Sequence, residues 1–111
     1  MAAHDRIEKD LESRLLESSI YYDSVDTCID FKVRGQPGEC DVIAIKGTYA
    51  VLIEIKGRDH KKGRKYAQVQ LKRDIEWVHT KYPQVKRIFP LYTYTDKTDR
   101  RYSVDWYDNL V

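Results

Sequence analysis

Three ionisable residues stand where strands built for a core call for apolar ones. In DVIAIKGTYAVLIEIKG, residues 41–57, two apolar runs flank Gly47-Thr48, yet Asp41 opens the first run and Glu54 and Lys56 close the second. Glycine at the first position of a two-residue loop suits a type II′ hairpin turn. That loop makes Lys46 face Tyr49, and counting outward puts Asp41 opposite Glu54. Directly opposed residues share a face with Cβ atoms about 5 Å apart, and like charges there repel. Lys56, two residues past Glu54, points to the same face. A divalent cation bridging the two carboxylates converts this repulsion into a binding site. Hard cations such as Mg²⁺ take oxygen ligands and keep several waters, and they lower the pKa of a bound water. Lys56 is then placed to stabilise charge developing on a phosphoryl oxygen, or to orient the attacking water. The plain alternative is that Lys56 neutralises one acid at solvated strand ends. It leaves more charge in apolar strands than strand ends require.

A dense basic run follows at once. Lys56 to Lys65 reads KGRDHKKGRK, although the whole chain carries a formal net charge of only +2. Net charge therefore announces no nucleic-acid partner, and the local run reads either as a solvated loop or as a phosphate-binding edge. Arg58, Lys61, Lys62, Arg64 and Lys65 form a candidate edge that phosphates approaching the cation meet first. Contacts of this kind give affinity and salt dependence without reading sequence. Gly57 and Gly63 give that loop room to move onto a duplex. Lys97, Arg100 and Arg101 read as an ordinary charged turn. Cys28, Cys40, His4, His60 and His79 lack the spacing of a zinc site or a disulfide framework and read as buried thiols and surface imidazoles. No apolar run approaches the ~20 residues of a membrane span. The opening MAAHDRIEKD lacks the apolar centre of a signal peptide. The expectation is a cytoplasmic protein with no membrane partner.

The elements that must position these residues follow from periodicity. A chain of 111 residues is one domain with a modest core. Residues 5–20 read as a helix: Ile7, Leu11 and Leu15 recur at helical spacing, and Asp5 caps with Glu8 at the capping-box position. Residues 25–33 alternate as a half-buried strand, and RGQPGE, residues 34–39, reads as a loop. Residues 64–82 return to helical period, with Ala67, Leu71, Ile75, Val78 and Tyr82 as the stripe and Pro83 as the stop. Val85 to Thr95 is a strand in which Pro90 marks an edge or a bulge. Tyr102 to Tyr107 closes the chain as a short strand. The order α, β, β, β, α, β, β predicts an α/β fold with a mixed central sheet flanked by helices.

Gly38-Glu39-Cys40-Asp41 on one strand, with Glu54-Ile55-Lys56 on the next, resembles the PD-(D/E)xK nuclease superfamily. The element order is similar to its restriction-endonuclease-like αβββαβ core, so the resemblance covers most of the chain. Within the superfamily the chain looks most like archaeal Holliday-junction resolvases and small restriction-type or repair nucleases. The resemblance implies a Mg²⁺-dependent endodeoxyribonuclease, with Mn²⁺ as a substitute ion, acting on duplex or branched DNA as a homodimer. It makes Asp41 and Glu54 metal ligands, adds the Ile55 carbonyl as a further ligand, and makes Lys56 the catalytic lysine. The proline that usually precedes the aspartate is replaced by Cys40, at a position that varies in the superfamily. Many members also carry a glutamate on the first helix. Glu8 and Glu12 both interrupt its apolar arc, and the Glu8, Leu11, Leu15 spacing favours Glu8 as a metal ligand. A glutamine on the helix after the ExK strand is assigned to Gln70, with Gln68 as the alternative. A catalytically inactive nucleic-acid-binding module of the same fold is the competing expectation.

Overall fold

The computed structural model describes residues 21–56, 61–95 and 101–105, with Thr95 and the last five described by backbone alone. The expected first helix with Glu8 and Glu12 lies outside these residues, as does Arg58. The described elements run β1 (Ser24–Val33), β2 (Gln36–Lys46), β3 (Tyr49–Ile55), α1 (Lys61–Lys81), β4 (Arg87–Thr95) and β5 (Arg101–Asp105). They form one mixed five-stranded sheet in the order β1-β2-β3-β4-β5. Every pairing is antiparallel except β3 with β4, which is parallel. The parallel pair needs a crossover, and α1 supplies it.

Two tight turns set the register of the β1-β2-β3 meander. At Gly47 φ is +57°, while Thr48 is not left-handed, as a type II′ loop requires. The resulting pairs run from Lys46↔Tyr49 to Val42↔Ile53, the register expected from the sequence. The first turn corrects an expectation. Residues 34–39 are not a loop: Arg34 and Gly35 both take positive φ, +50° and +77°, and form a two-residue turn of the I′ kind. Strand β2 therefore begins at Gln36 and pairs Pro37 and Gly38 with Lys32 and Phe31. Pro37 is tolerated because this part of β2 precedes its ladder with β3 and has a strand on one side only. Gly38 has no side chain because Phe31 occupies that space. A Cβ there would lie 2.5 Å from the ring. The ring then stacks on Trp77 of α1, with centroids 4.7 Å apart.

The main core lies between the sheet and α1. It joins Ile43, Ile45, Ala50, Leu52, Ile88 and Tyr92 to Ala67, Leu71, Trp77 and Val78. The opposite face buries Val42, Ile53 and Ile55 against Val51 and Leu91. Side chains alternate along a strand, yet Cys40 shares the α1-side core with Ile43, three residues on. The change of parity falls opposite Cys28. Its φ of +52° lies between the pairs Thr27↔Val42 and Ile29↔Cys40. A non-glycine residue in that region costs of order 1 kcal/mol. Cys28 is exposed rather than buried, while Cys40 is fully buried.

Three further differences have simple causes. Helix α1 starts at Lys61, three residues before the expected start, because Lys61 and Lys62 are good helix formers and Gly63 does not break it. Gly63 is consequently a buried helical position, not a loop hinge. Pro90 sits in an interior strand. It pairs with Leu52 of β3, and the described β4–β5 ladder runs from Leu91↔Asp105 onward, so among the described residues Pro90 has a partner strand on one side.

Candidate functional site

The site forms where β2 and β3 run past their shared ladder. The last rungs are Ile43↔Leu52 and Val42↔Ile53, and the same register brings Asp41 level with Glu54. Beyond those rungs a side chain replaces the backbone partner: the Ile55 N–H donates to Asp41 Oδ2 at 2.8 Å. On the other side of β3, the Lys56 N–H donates to the Thr93 carbonyl at 2.9 Å. The end of β3 is thus fixed from both neighbours, and Glu54 and Lys56 have little freedom of placement.

Burial decides what the acids mean. Asp41 is 3% exposed and Glu54 1% exposed, so neither is a solvated strand end. Lys56 Nζ lies 3.6 Å from Glu54 Oε1 and donates to Gln70 Oε1 at 3.1 Å. Of the two candidate glutamines, Gln70 is the one that meets Lys56. Among the described residues, Glu54 Oε2 has no hydrogen-bond partner. An unmet carboxylate oxygen in a dry site is costly. Burial is the first cause that pushes the Glu54 carboxyl up to about 9, followed by the charges of Asp41 and Asp74. Lys56 acts in the opposite direction, and a hydrogen bond with the Asp41 carboxyl adds to the rise.

Sequence reasoning missed a third acid. Asp74 of α1 is 1% exposed, and among the described residues neither of its oxygens has a hydrogen-bond partner. Its carboxyl is pushed up to about 8, first by burial and then by the charges of Asp41 and Glu39. Its field also raises Glu54 and, with burial the larger cause, the Cys40 thiol. A signal for it existed. The buried stripe of α1 is Ala67, Leu71, Asp74 and Val78, a 4-3-4 spacing in which Asp74 holds an apolar position. Ile75, assigned to the stripe from sequence, is half-buried and packs at its margin.

The basic run divides. Lys61, Lys62 and Lys65 are exposed. Arg64 turns inward, its guanidinium 5.8 Å from the Tyr92 ring centroid and 5.7 Å from that of Tyr94. Its planar group stacks on aromatic faces rather than standing free for phosphates.

Asp41 and Glu54 have the chemistry to hold a hard cation, and the unpartnered Glu54 oxygen fits such a ligand. Among the described residues, no three His, Cys, Asp or Glu side chains are grouped so as to hold an ion. Two side-chain carboxylates with waters are therefore the set that these residues offer, a number Mg²⁺ commonly accepts. Among them, too, no helix is long and apolar enough to cross a membrane.

No protein-family model matches the chain, and a search of curated proteins finds no match. Among solved structures, the crystal structure of SSO0001 is similar, with a TM-score of 0.53 over 92% of this chain at 20% identity. The chain spans 50% of that protein's length. At this identity the likeness is one of fold alone. It supports an α/β protein built on a mixed sheet.

Proposed function

We propose that this chain is a metal-dependent DNA endonuclease of the PD-(D/E)xK class, with a restriction-endonuclease-like core, that hydrolyses phosphodiester bonds. One observation carries the reading: a buried Asp41–Glu54 pair with an unmet Glu54 oxygen, and Lys56 at 3.6 Å from the same carboxylate. Burying like charges is costly unless a ligand repays it. A divalent cation, Mg²⁺ or Mn²⁺, is the occupant whose chemistry answers both acids. Asp41 and Glu54 would hold it. In the family pattern the Ile55 carbonyl and Glu8 complete the set. When bound, the ion polarises a phosphoryl oxygen and makes a water more acidic.

The remaining work falls to side chains of this chain. Asp41 is oriented by the Ile55 N–H. Lys56 keeps its ammonium at the mouth of the site, steered by Gln70 and Glu54, where it can donate to a phosphoryl oxygen as charge builds there. Lys61, Lys62 and Lys65 supply sequence-independent attraction for the DNA backbone. Paired incision by a homodimer, as in junction resolvases, is the assembly this reading favours.

The test is calorimetric titration of Mg²⁺ and Mn²⁺, joined to a cleavage panel of branched and linear DNAs. The reading expects stoichiometric ion binding that Asp41→Asn removes, together with cleavage that Asp41→Asn abolishes. Full activity in Asp41→Asn sinks it. Ion binding without cleavage of any DNA leaves a nuclease-fold binding module instead.

A further inference from the structure

Tyr66 is the large aromatic that the site leaves in water, 62% exposed on the first turns of α1, one turn before Gln70. It borders two hollows. One, about 330 Å³, is lined by Lys56, Lys62 and Gly63 together with Tyr66. The other, about 290 Å³, is lined on its polar side by Asp30, Glu39, Gln70 and Arg73, again with Tyr66. Lys56 Nζ lies 5.2 Å from the Tyr66 ring centroid, a cation–π contact that steadies the ring. Charge is therefore uneven around one flat surface. Two ammonium groups line the first hollow, the carboxylates of Asp30 and Glu39 stand beside the Arg73 guanidinium in the second, and the ring is common to both.

A nucleotide has the same polarity. Its phosphate is drawn to Lys56 and Lys62 and repelled by Asp30 and Glu39. Its base offers a face to stack and an edge of donors and acceptors. The carboxylates can accept from a base amino group. The Gln70 amide nitrogen remains a donor, because its oxygen is taken by Lys56. A base inside a duplex has both faces covered by neighbours and its pairing edge covered by its complement. Only an unpaired nucleotide can use ring and hollow together.

We propose that Tyr66 is the stacking platform for one unpaired nucleotide of DNA beside the bond to be cut, with its phosphate between Lys56 and Lys62 and its base against Gln70 and Arg73. The substrate class is then single-stranded or flapped DNA rather than continuous duplex. The cutting in this statement rests on the nuclease reading; the binding does not.

Anisotropy titrations with a short labelled oligodeoxynucleotide, and with the duplex of the same sequence, test it in the absence of divalent ions. Wild type binds the single strand more tightly than the duplex. Tyr66→Ala weakens single-strand binding about tenfold, the loss expected for one base stack, and changes duplex binding less than about twofold. Tyr66→Trp keeps the single-strand affinity. Equal losses on both DNAs, or no loss on the single strand, overturn the proposal. Cleavage is scored separately. A Tyr66-dependent preference without cleavage supports the platform and fails the nuclease reading. Cleavage of both DNAs alike, indifferent to Tyr66→Ala, does the reverse.

Discussion

The two ends of the β2–β3 hairpin carry charge in opposite ways. At the turn, Asp23 accepts from the Gly47 N–H at 2.7 Å and lies 3.8 Å from the Lys46 ammonium. All of this is exposed, and water dilutes whatever the pair contributes to roughly 0–1 kcal/mol. At the other end, Glu54 lies 3.6 Å from the Lys56 ammonium, but it and Asp41 are buried, and among the described residues one Glu54 oxygen is left unmet. The same residue types are thus cheap at one end and expensive at the other. A fold under no functional demand has no reason to keep the expensive arrangement. The contrast separates a charge that ornaments a turn from charges that a bound cation, on the proposed reading, would answer.

The comparison breaks most sharply on activity. Asp41→Asn, Glu54→Gln and Lys56→Ala should each lower cleavage by about a hundredfold or more, with far-UV circular dichroism unchanged. Lys46→Ala and Asp23→Asn at the turn should leave the rate within about twofold of wild type, because exposed surface pairs contribute little. Turn variants as damaging as the site variants would erase the distinction.

It sharpens next on stability against pH in the metal-free protein. Glu54 moves from 4.5 to about 9 and Asp74 from 3.8 to about 8 on folding. A carboxyl raised by folding is protonated in the native state over a range where the unfolded chain has lost its proton. Its contribution is therefore complete below about pH 4 and drains away as pH climbs through 8 and 9, at up to ~1.4 kcal/mol per pH unit for each group. Chemical denaturation from pH 5 to 9 should show this decline. Asp74→Asn should flatten the part that ends near pH 8, and Glu54→Gln the part that ends near pH 9. A flat wild-type profile would mean that both acids are already satisfied. Saturating Mg²⁺ should raise the melting temperature more at high pH than at low, because it competes with those protons.

The smallest effect belongs to the supporting glutamine. Gln70→Ala should reduce cleavage about tenfold and leave ion affinity nearly unchanged, because among the described residues the hydrogen-bond partner of its side chain is Lys56. A loss of ion affinity as large as that of Asp41→Asn would make Gln70 part of the cation site itself.

Much of this was legible in the residues. The hairpin register followed from Gly47 alone, and with it the opposition of Asp41 and Glu54. Gln70 could not be separated from Gln68 by spacing, because the choice depends on how far the Lys56 side chain reaches over α1. Asp74 escaped for a related reason. Helical periodicity rewards apolar residues, so an acid in the stripe reads as a gap and its neighbour Ile75 fills the pattern. The Arg34-Gly35 turn was hidden by Pro37 and Gly38, which signal a loop in isolation but pair comfortably where β2 has a single neighbour. Spacing also does not reveal that Arg64 of the basic run lies over the rings of Tyr92 and Tyr94.

The order β1-β2-β3-α1 also separates two events in time. The contacts that bring Asp41 level with Glu54 are local in sequence, with Lys46 and Tyr49 only two loop residues apart, and such hairpins close within microseconds. The surface that dries the acids belongs to α1 and to β4 beyond it, whose parallel pairing with β3 closes a far longer loop and is intrinsically slower. The two carboxylates therefore meet while still hydrated, and the helix arrives against their charge. Helix docking is then the step that Mg²⁺ should accelerate. Refolding followed at Trp77, in a Trp106→Phe background, should quicken with added ion. A refolding rate indifferent to Mg²⁺, with all the stabilisation appearing as slower unfolding, would place ion uptake after the helix has docked.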